Sequence, residues 1–355
     1  MNVTELFTRL RTPTEQGLTL QLKTQTPLYT GGIGQLGDQI HPSNLLGGVR
    51  HMSSLVARTL GDDRFETDVW GNAGQGGQNA TAKQVALHWD ISKLQRVALG
   101  ERGGVISIPK AIGGESKWYF NNAHEGELAF SMTRNGISDP HWQILKLALA
   151  IQFRHASFGA KDQFGLGVLA LTDSNAVICE PLDTAFPWPA ALPVQPGKLN
   201  LLRYVFGRIS FRPAPGQRPV LNRTLGLKLA LATRATLRNA LRAKADAPDL
   251  EAQRLTLLRH RMLGHLNQFG SAVNVSAAYL HDGNPELRIA VALKPDNKDE
   301  RAEAFRVFRD AIKSQLDGMI EQTGYRTNDT IWEYGGAQTN DKKAAWLNKL
   351  AGVQA

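Results

Sequence analysis

Cysteine is nearly absent: Cys179 is the one thiol in 355 residues. A single cysteine cannot close an internal disulfide or build a Cys-rich zinc cluster, which fits a reducing cytoplasm. Long apolar runs are missing too. The longest, Leu145 to Phe153, is broken by Lys146 and Gln152 and is too short to span a bilayer. The opening stretch MNVTELFTRLRTPTEQG lacks the continuous apolar core of a signal peptide. The expectation is a soluble, cytoplasmic protein with no membrane partner. Signatures of catalysis are equally scarce. No G-x-S-x-G, P-loop, H-E-x-x-H or paired carboxylate motif occurs. His260 and His265 stand five apart, which misses the i, i+4 spacing of a helical metal pair, so neither a metal nor a cofactor is expected.

What is present is core-forming material and positive charge. Hydrophobic residues make up 42% and charged residues 21%, a balance that folds rather than stays disordered. At roughly 100–200 residues per domain the length predicts two domains. The net charge is +9. Between Lys198 and Arg261, fourteen Lys and Arg face three acids, a local balance of +11, so the rest of the chain is close to neutral. A basic block inside a folded region points to a polyanionic partner, with a solvated basic face as the plain alternative.

Periodicity organises the chain. Leu18 to Thr26 alternates like a half-buried strand and ends at Pro27. Pro42-Ser43-Asn44 opens a helix with Ser43 as N-cap, Leu45, Val49, Met52, Val56 and Leu60 form one apolar stripe, and Gly61 ends it. Residues 62–83 read as a long polar, glycine-rich loop. Strands follow near 104–109, 117–121 and 127–133, then a helix from Asp139-Pro140 and a last short strand at 166–171. Five prolines between Pro181 and Pro196 mark a linker. The pattern then restarts: a strand at 199–212, helices about 221–245 and 250–266, strands at 271–280 and 286–293, a charged helix at 298–319 and a strand at 330–334. The predicted fold class is α+β, two tandem ferredoxin-like (RRM-like, βαββαβ) domains with insertions. The boundaries are 1–178, a linker at 179–198, and 199–355 with its basic helices.

Gly32-Ile33-Gly34-Gln35-Leu36-Gly37 spells the dinucleotide pattern GxGxxG. Its context is wrong for that role. Pro27 parts the strand from the loop, Pro42 parts the loop from the helix, and Asp62 and Asp63 follow a helix instead of a second strand. Two readings remain. The glycines serve a tight turn, or Gly31, Gly32 and Gly34 expose backbone amides to a nucleic-acid backbone.

Three segments, LQLKTQTPLYTGG, PSNLLGGVRHMSSLVARTLG and FGAKDQFGLGV, together resemble the RAMP superfamily of CRISPR type III effector subunits. Members of that family carry a strand ending in Thr-Pro-Leu and glycines, a helix with Gly-x-x-Arg (here Gly47 to Arg50), and a late glycine loop ending in G-x-G (here Gly165 and Gly167). VWGNAGQGG resembles a further loop of some members. The similarity is greatest to the first subunit of the type III-B (Cmr) module. It covers about residues 18–170 and is architectural beyond the linker. The resemblance implies a non-catalytic subunit of an antiviral ribonucleoprotein that binds guide RNA (crRNA), with target RNA and other effector subunits as further partners. It also implies that Arg50 and the loop Phe158–Gly167, with Lys161, face RNA.

The residues themselves agree with a phosphate-binding role. Arg154, His155 and Lys161 crowd the second glycine loop, where cations and amides can share phosphates. Phe158 and Phe164 are placed to stack on bases or to plug the core beneath their loop. Arg234, Arg238 and Arg242 stand four apart, a row suited to phosphates or to an acidic partner, with a solvated face as the alternative. Some RAMP subunits cut RNA through an acid in the first loop. Asp38 with His41 is the matching pair here, for a metal-dependent endoribonuclease alternative. A third reading is a basic protein-interaction scaffold with no RNA of its own.

Overall fold

In a computed structural model the structure describes residues 17–31, 39–72, 80–99, 107–109, 115–117, 122–159, 165–173, 176–182, 199–242, 248–264, 271–336 and 340–353. The first half contains β1 (Gly17–Thr24), α1 (Pro42–Leu60), α2 (Phe65–Trp70), β2 (Val85–Asp90), β3 (Leu94–Ala98), β4 (Ser107–Pro109), β5 (Glu115–Lys117), β6 (Asn122–Arg134), α3 (Asp139–His155) and β7 (Leu169–Leu171). The second contains β8 (Tyr204–Pro213), α4 (Arg223–Ala240), α5 (Asp249–Leu263), β9 (Val273–Val275), β10 (Tyr279–His281), β11 (Asn284–Ala292), α6 (Lys298–Ile320), β12 (Tyr325–Tyr334) and α7 (Asn340–Ala351).

Two antiparallel sheets result. The first runs β2-β6-β1-β7 with β3 also on β6, and the second runs β10-β11-β8-β12 with β9 also on β11. Read as first, second, third and fourth strand of each repeat, both follow the order 4-1-3-2, which makes each unit ferredoxin-like. The chain is therefore an α+β protein of two tandem ferredoxin-like domains. β4 and β5 form a separate two-stranded ribbon, an insertion between β3 and β6.

Local chemistry fixes the helix ends. Pro42 sits in the first turn of α1, where a missing N–H costs nothing, and Gly61 closes the helix at φ 91°. The N-cap of α1 is His41 rather than Ser43, with no side-chain cap bond. Ser138, Asn222 and Asn297 cap α3, α4 and α6 by accepting backbone N–H bonds. The stripe Leu45, Val49, Met52, Val56 and Leu60 is buried as its spacing predicts. It packs with Leu20, Leu22, Phe130 and Met132 of the sheet and Leu145 and Leu149 of α3. Each such side chain contributes about 1.5–3 kcal/mol of burial. The second core joins Val205, Ile209 and Phe211 to Leu229, Leu237, Phe308 and Ile312.

Three elements depart from the sequence reading. The stretch read as a long loop at 62–83 holds α2, and the hairpin β2–β3 follows it. The third departure is α7. Its Ala344, Trp346, Leu347 and Leu350 are buried in the first core, against α3 and α1, and not in the second. Cys179 and Leu182 join the same core, and Leu182 exchanges two hydrogen bonds with the Asn348 side chain at 2.8 and 3.1 Å. The packing thus holds the start of the linker region on the first domain and draws the last helix back onto it.

Candidate nucleic-acid interface

The strand end, the helix entry and the late glycine loop meet at one place. Gly167 donates its N–H to Pro27 O at 2.8 Å, and Phe158 donates to Gly167 O at 2.8 Å. Val168 donates to Thr26 Oγ1 at 2.9 Å. Thr30 binds the start of α1: its Oγ1 accepts from His41 N at 2.8 Å, and its carbonyl accepts from the Asn44 amide. Gly48 lies over Phe158, whose ring would be 3.5 Å from a Cβ there. Distant sequence segments are thereby fixed on one rim.

That rim borders a cleft of about 130 Å³ between the two domains, lined among others by His51, Gln152, Tyr204, Phe206, Asn274 and Arg288. No carboxylate lines it among the described residues. His51 reaches Tyr204 Oη at 3.2 Å. Burial, then the charge of Arg58, push its pKa below the ordinary histidine value, with Glu66 opposing. Arg50 and Arg58 both bind Glu66, at 2.9 and 3.2 Å. Burial works to raise the Glu66 pKa, but the Arg50 hydrogen bond and the two arginine charges prevail and hold it low. Arg50 remains half exposed in this pair.

The outward strip of α1 is Ser43, Asn44, Gly47, Arg50 and His51, all exposed. Gly47 lies inside the helix, yet a Cβ there would meet nothing within 4 Å. Glycine within a helix costs about 0.5–1 kcal/mol relative to alanine, and nothing among the described residues requires it here.

Several expected contacts turn inward instead. His155 is 4% exposed, donates Nε2–H to Leu350 O at 2.9 Å, and lies 4.9 Å from the Phe206 ring. Burial pushes its pKa down to about 3, so it is neutral and not aimed at phosphate. Phe158 is wholly buried against Phe153 and Trp89, ring centroids 5.1 and 5.7 Å away, so it plugs the core and offers no face to a base. Gly165 and Gly167, at φ 95° and 89°, are buried joints. Gly165 O accepts from Ala277 N of the second domain at 2.9 Å, and a Cβ at Gly167 would fall 1.9 Å from Phe158 O. Arg234 is spent on Val273 O at 2.6 Å and Ser271 Oγ at 3.0 Å. Tertiary packing, invisible in the local sequence, accounts for each.

Others stay outward. Arg154 is exposed, its pKa lowered by burial and by Arg208, and it faces Gly352 rather than the glycine loop. Arg238 and Arg242 are exposed and are joined by Arg259 of α5, whose pKa is lowered by burial and then by those two charges. Arg259 was missed in the sequence, although the cationic run RHR was its signal. Gly31 is half-buried at φ 79°, and His41 serves through its backbone at the helix entry. Gly32, Gly34, Asp38, Lys161 and Phe164 lie outside the described residues.

Among the described residues no three His, Cys, Asp or Glu side chains gather to hold a metal ion, and no helix is long and apolar enough to cross a membrane. Cys179 is buried, and burial pushes its thiol up to about 11.

No family model and no curated protein matches the sequence. Among solved structures the chain is similar to the crystal structure of apo Cmr1 from Pyrococcus furiosus, at 12% identity and a TM-score of 0.47 over 91% of this chain and 100% of that one. It is also similar to chains in two cryo-EM structures of the Type III-B Cmr-beta complex. One is bound to cognate target RNA and AMPPnP in the presence of ssDNA, at 10% identity and TM-score 0.45. The other is bound to cognate target RNA, at 11% identity and TM-score 0.46. Each covers 84% of this chain and 100% of its counterpart.

Proposed function

We propose that this chain is a non-catalytic, guide-RNA-binding subunit of a CRISPR type III effector ribonucleoprotein of the type III-B kind, acting against foreign RNA or DNA beside other effector subunits. One observation carries the reading. The three segments that resemble RAMP subunits, far apart in sequence, are bonded together on the rim of one cleft between the domains. His51 lines that cleft, Arg50 is the next residue on α1 and is paired with Glu66, and Arg238, Arg242 and Arg259 form a separate cationic cluster. Guanidinium groups hold phosphate by paired, charge-assisted hydrogen bonds. The glycine loop then acts as the joint that shapes the seam, with backbone and cations as the RNA contacts.

The test is fluorescence anisotropy of the full chain, alone and with its co-expressed partner subunits, against single-stranded RNA. Affinity should fall with salt at a log–log slope of about −0.7 per phosphate neutralised. The RNA should emerge uncut after incubation with Mg²⁺. Absence of binding at low salt in both preparations refutes the RNA reading, and cleavage that disappears in Asp38→Ala refutes the non-catalytic one.

A further inference from the structure

We infer that a groove beside the end of α3 docks a partner protein, and that its occupant is an extended segment carrying an aliphatic side chain next to an Asp or Glu. The inference rests on the reading above only in expecting partner subunits. The groove holds about 370 Å³ and is walled by Ala150 and Phe153 of α3, Leu171 of β7, Val177, Ile178 and Val353. Val177 is 74% exposed. β7 ends the first sheet, and a strand at a sheet edge presents backbone groups to an extended chain. One end of the groove is cationic. Arg154 lines it, with its guanidinium against Gly352. One residue back, Phe153 O accepts from Arg288 Nη1 at 2.6 Å. Arg288 stands opposite Arg208 in the β11–β8 register, so the two share one sheet face. Burial, then the charge of Arg208, lowers the Arg154 pKa, with Glu333 opposing and Arg288 adding to the effect. Three guanidinium groups from α3, β8 and β11 are thus gathered. Arg288 is occupied by Phe153 O and by Tyr279 Oη at 2.6 Å. Arg154 and Arg208 have no hydrogen bond or ion pair among the described residues. The neighbouring carboxylates are engaged: Glu333 binds Lys349 at 2.8 Å, and Glu286 accepts from Tyr279 Oη at 3.1 Å. Ile331, opposite Arg208 on β12 and 44% exposed, continues the apolar surface beyond the cations. Two free guanidinium groups between aliphatic walls match a carboxylate flanked by aliphatic side chains. A nucleotide strand would meet cations here but aliphatic walls in place of stacking rings.

The experiment uses the full chain co-expressed with its partner subunits and purified after RNase treatment, with the photocrosslinker p-benzoylphenylalanine in place of Val177. Irradiation joins it to a segment of another subunit in which an Asp or Glu adjoins an aliphatic side chain. The double variant Arg154→Gln, Arg208→Gln weakens retention of that subunit by about tenfold. Val177→Asp, at an exposed position, weakens it as well by repelling the incoming carboxylate, and carries the test alone if the double variant is unstable. A crosslink to a second copy, to RNA alone in an untreated sample, or to nothing overturns the inference. Unchanged retention in these variants also overturns it. RNA affinity, read separately by anisotropy, is the same in wild type and the double variant. Wild type that binds no RNA but holds the subunit through this groove refutes the RNA reading and leaves the docking site standing. A double variant that loses RNA but keeps the subunit assigns both arginines to RNA and overturns the docking site.

Discussion

His155 provides a direct test of how the two domains meet. Its ring is enclosed by three elements: α3, which carries it, β8, which supplies Phe206, and α7, which supplies Leu350 O. Only a closed seam keeps the imidazole out of water, and that enclosure puts its pKa at about 3. The unfolded chain restores an ordinary value near 6.5. A base with a depressed folded pKa favours the fold above the unfolded value, and the contribution is lost as pH falls from 6.5 toward 3. Between pH 7 and pH 5 the unfolded state gains about 0.7 of a proton that the folded state refuses, a loss of about 2 kcal/mol from this residue. The assay is urea unfolding followed by tryptophan fluorescence at both pH values, for wild type and His155→Gln. Glutamine retains a donor for Leu350 O but does not titrate. Wild type should lose about 2 kcal/mol more than the variant on going to pH 5, and the His155 ring signal in NMR should stay constant down to about pH 4. Equal losses in the two proteins, or a ring titrating near 6.5, would refute the closed seam.

Phe158→Ala should cost about 3–5 kcal/mol in urea unfolding, while Phe158→Leu, which still fills the core, should keep wild-type RNA affinity. An affinity loss in the leucine variant would restore a base-stacking role. Gly167→Ala should destabilise by about 2–4 kcal/mol, because a positive φ and a clash with Phe158 O add together. Gly136→Ala, with positive φ but open space, should cost only about 1–2 kcal/mol. Replacing Arg238, Arg242 and Arg259 together by Gln should reduce the salt slope of RNA binding by about 2, measured by anisotropy between low and physiological salt. Arg234→Gln should leave that slope unchanged and lower stability by about 1–3 kcal/mol through the lost bonds to Val273 and Ser271.

Local periodicity carried much of the fold. The stripe from Leu45 to Leu60, framed by Pro42 and Gly61, reads as a helix because one face must be buried and the punctuation is local. β2 was harder. Val85, Leu87 and Trp89 alternate, but three positions next to a polar, glycine-rich stretch give a weak signal. α7 shows a different limit. Ala344, Leu347 and Leu350 have helical spacing, yet nothing in it states that the helix packs on the first core. The candidate site divides the same way. That Thr-Pro-Leu, Pro-Ser-Asn and the late glycines belong together was legible from motif resemblance. The inward direction of His155, Phe158, Gly165 and Arg234 was not, because it is set by Leu350, Trp89, Ala277 and Val273, all distant in sequence.

The two sheets narrow where a polyanionic strand can lie. RRM-like units that bind single-stranded RNA on the sheet stack bases on exposed aromatics. In the second domain part of that face is covered by the chain itself. Phe206 meets His155, Arg288 donates to Phe153 O at 2.6 Å, and Glu333 binds Lys349 of α7 at 2.8 Å. In the first domain the face away from the helices carries Thr19, Gln21 and Lys23 opposite Ser131, Ala129 and Glu127, with Ala86, His88 and Asp90 on the neighbouring strand. None of these is Phe, Tyr or Trp. Among the described residues the first sheet thus offers no Phe, Tyr or Trp to stack on, and the second offers a partly open aromatic, Tyr204, at the seam, which directs attention to the helix faces and the seam. The seam is also tied at several points: α7 returns from the second domain into the first core, and Arg223 makes a two-pronged ion pair with Glu125 at 2.9 and 2.7 Å. A groove held by covalent return and by paired bonds is formed before any ligand arrives, so on the proposed reading RNA would pay little to order it, and the cations along its rim would set the affinity.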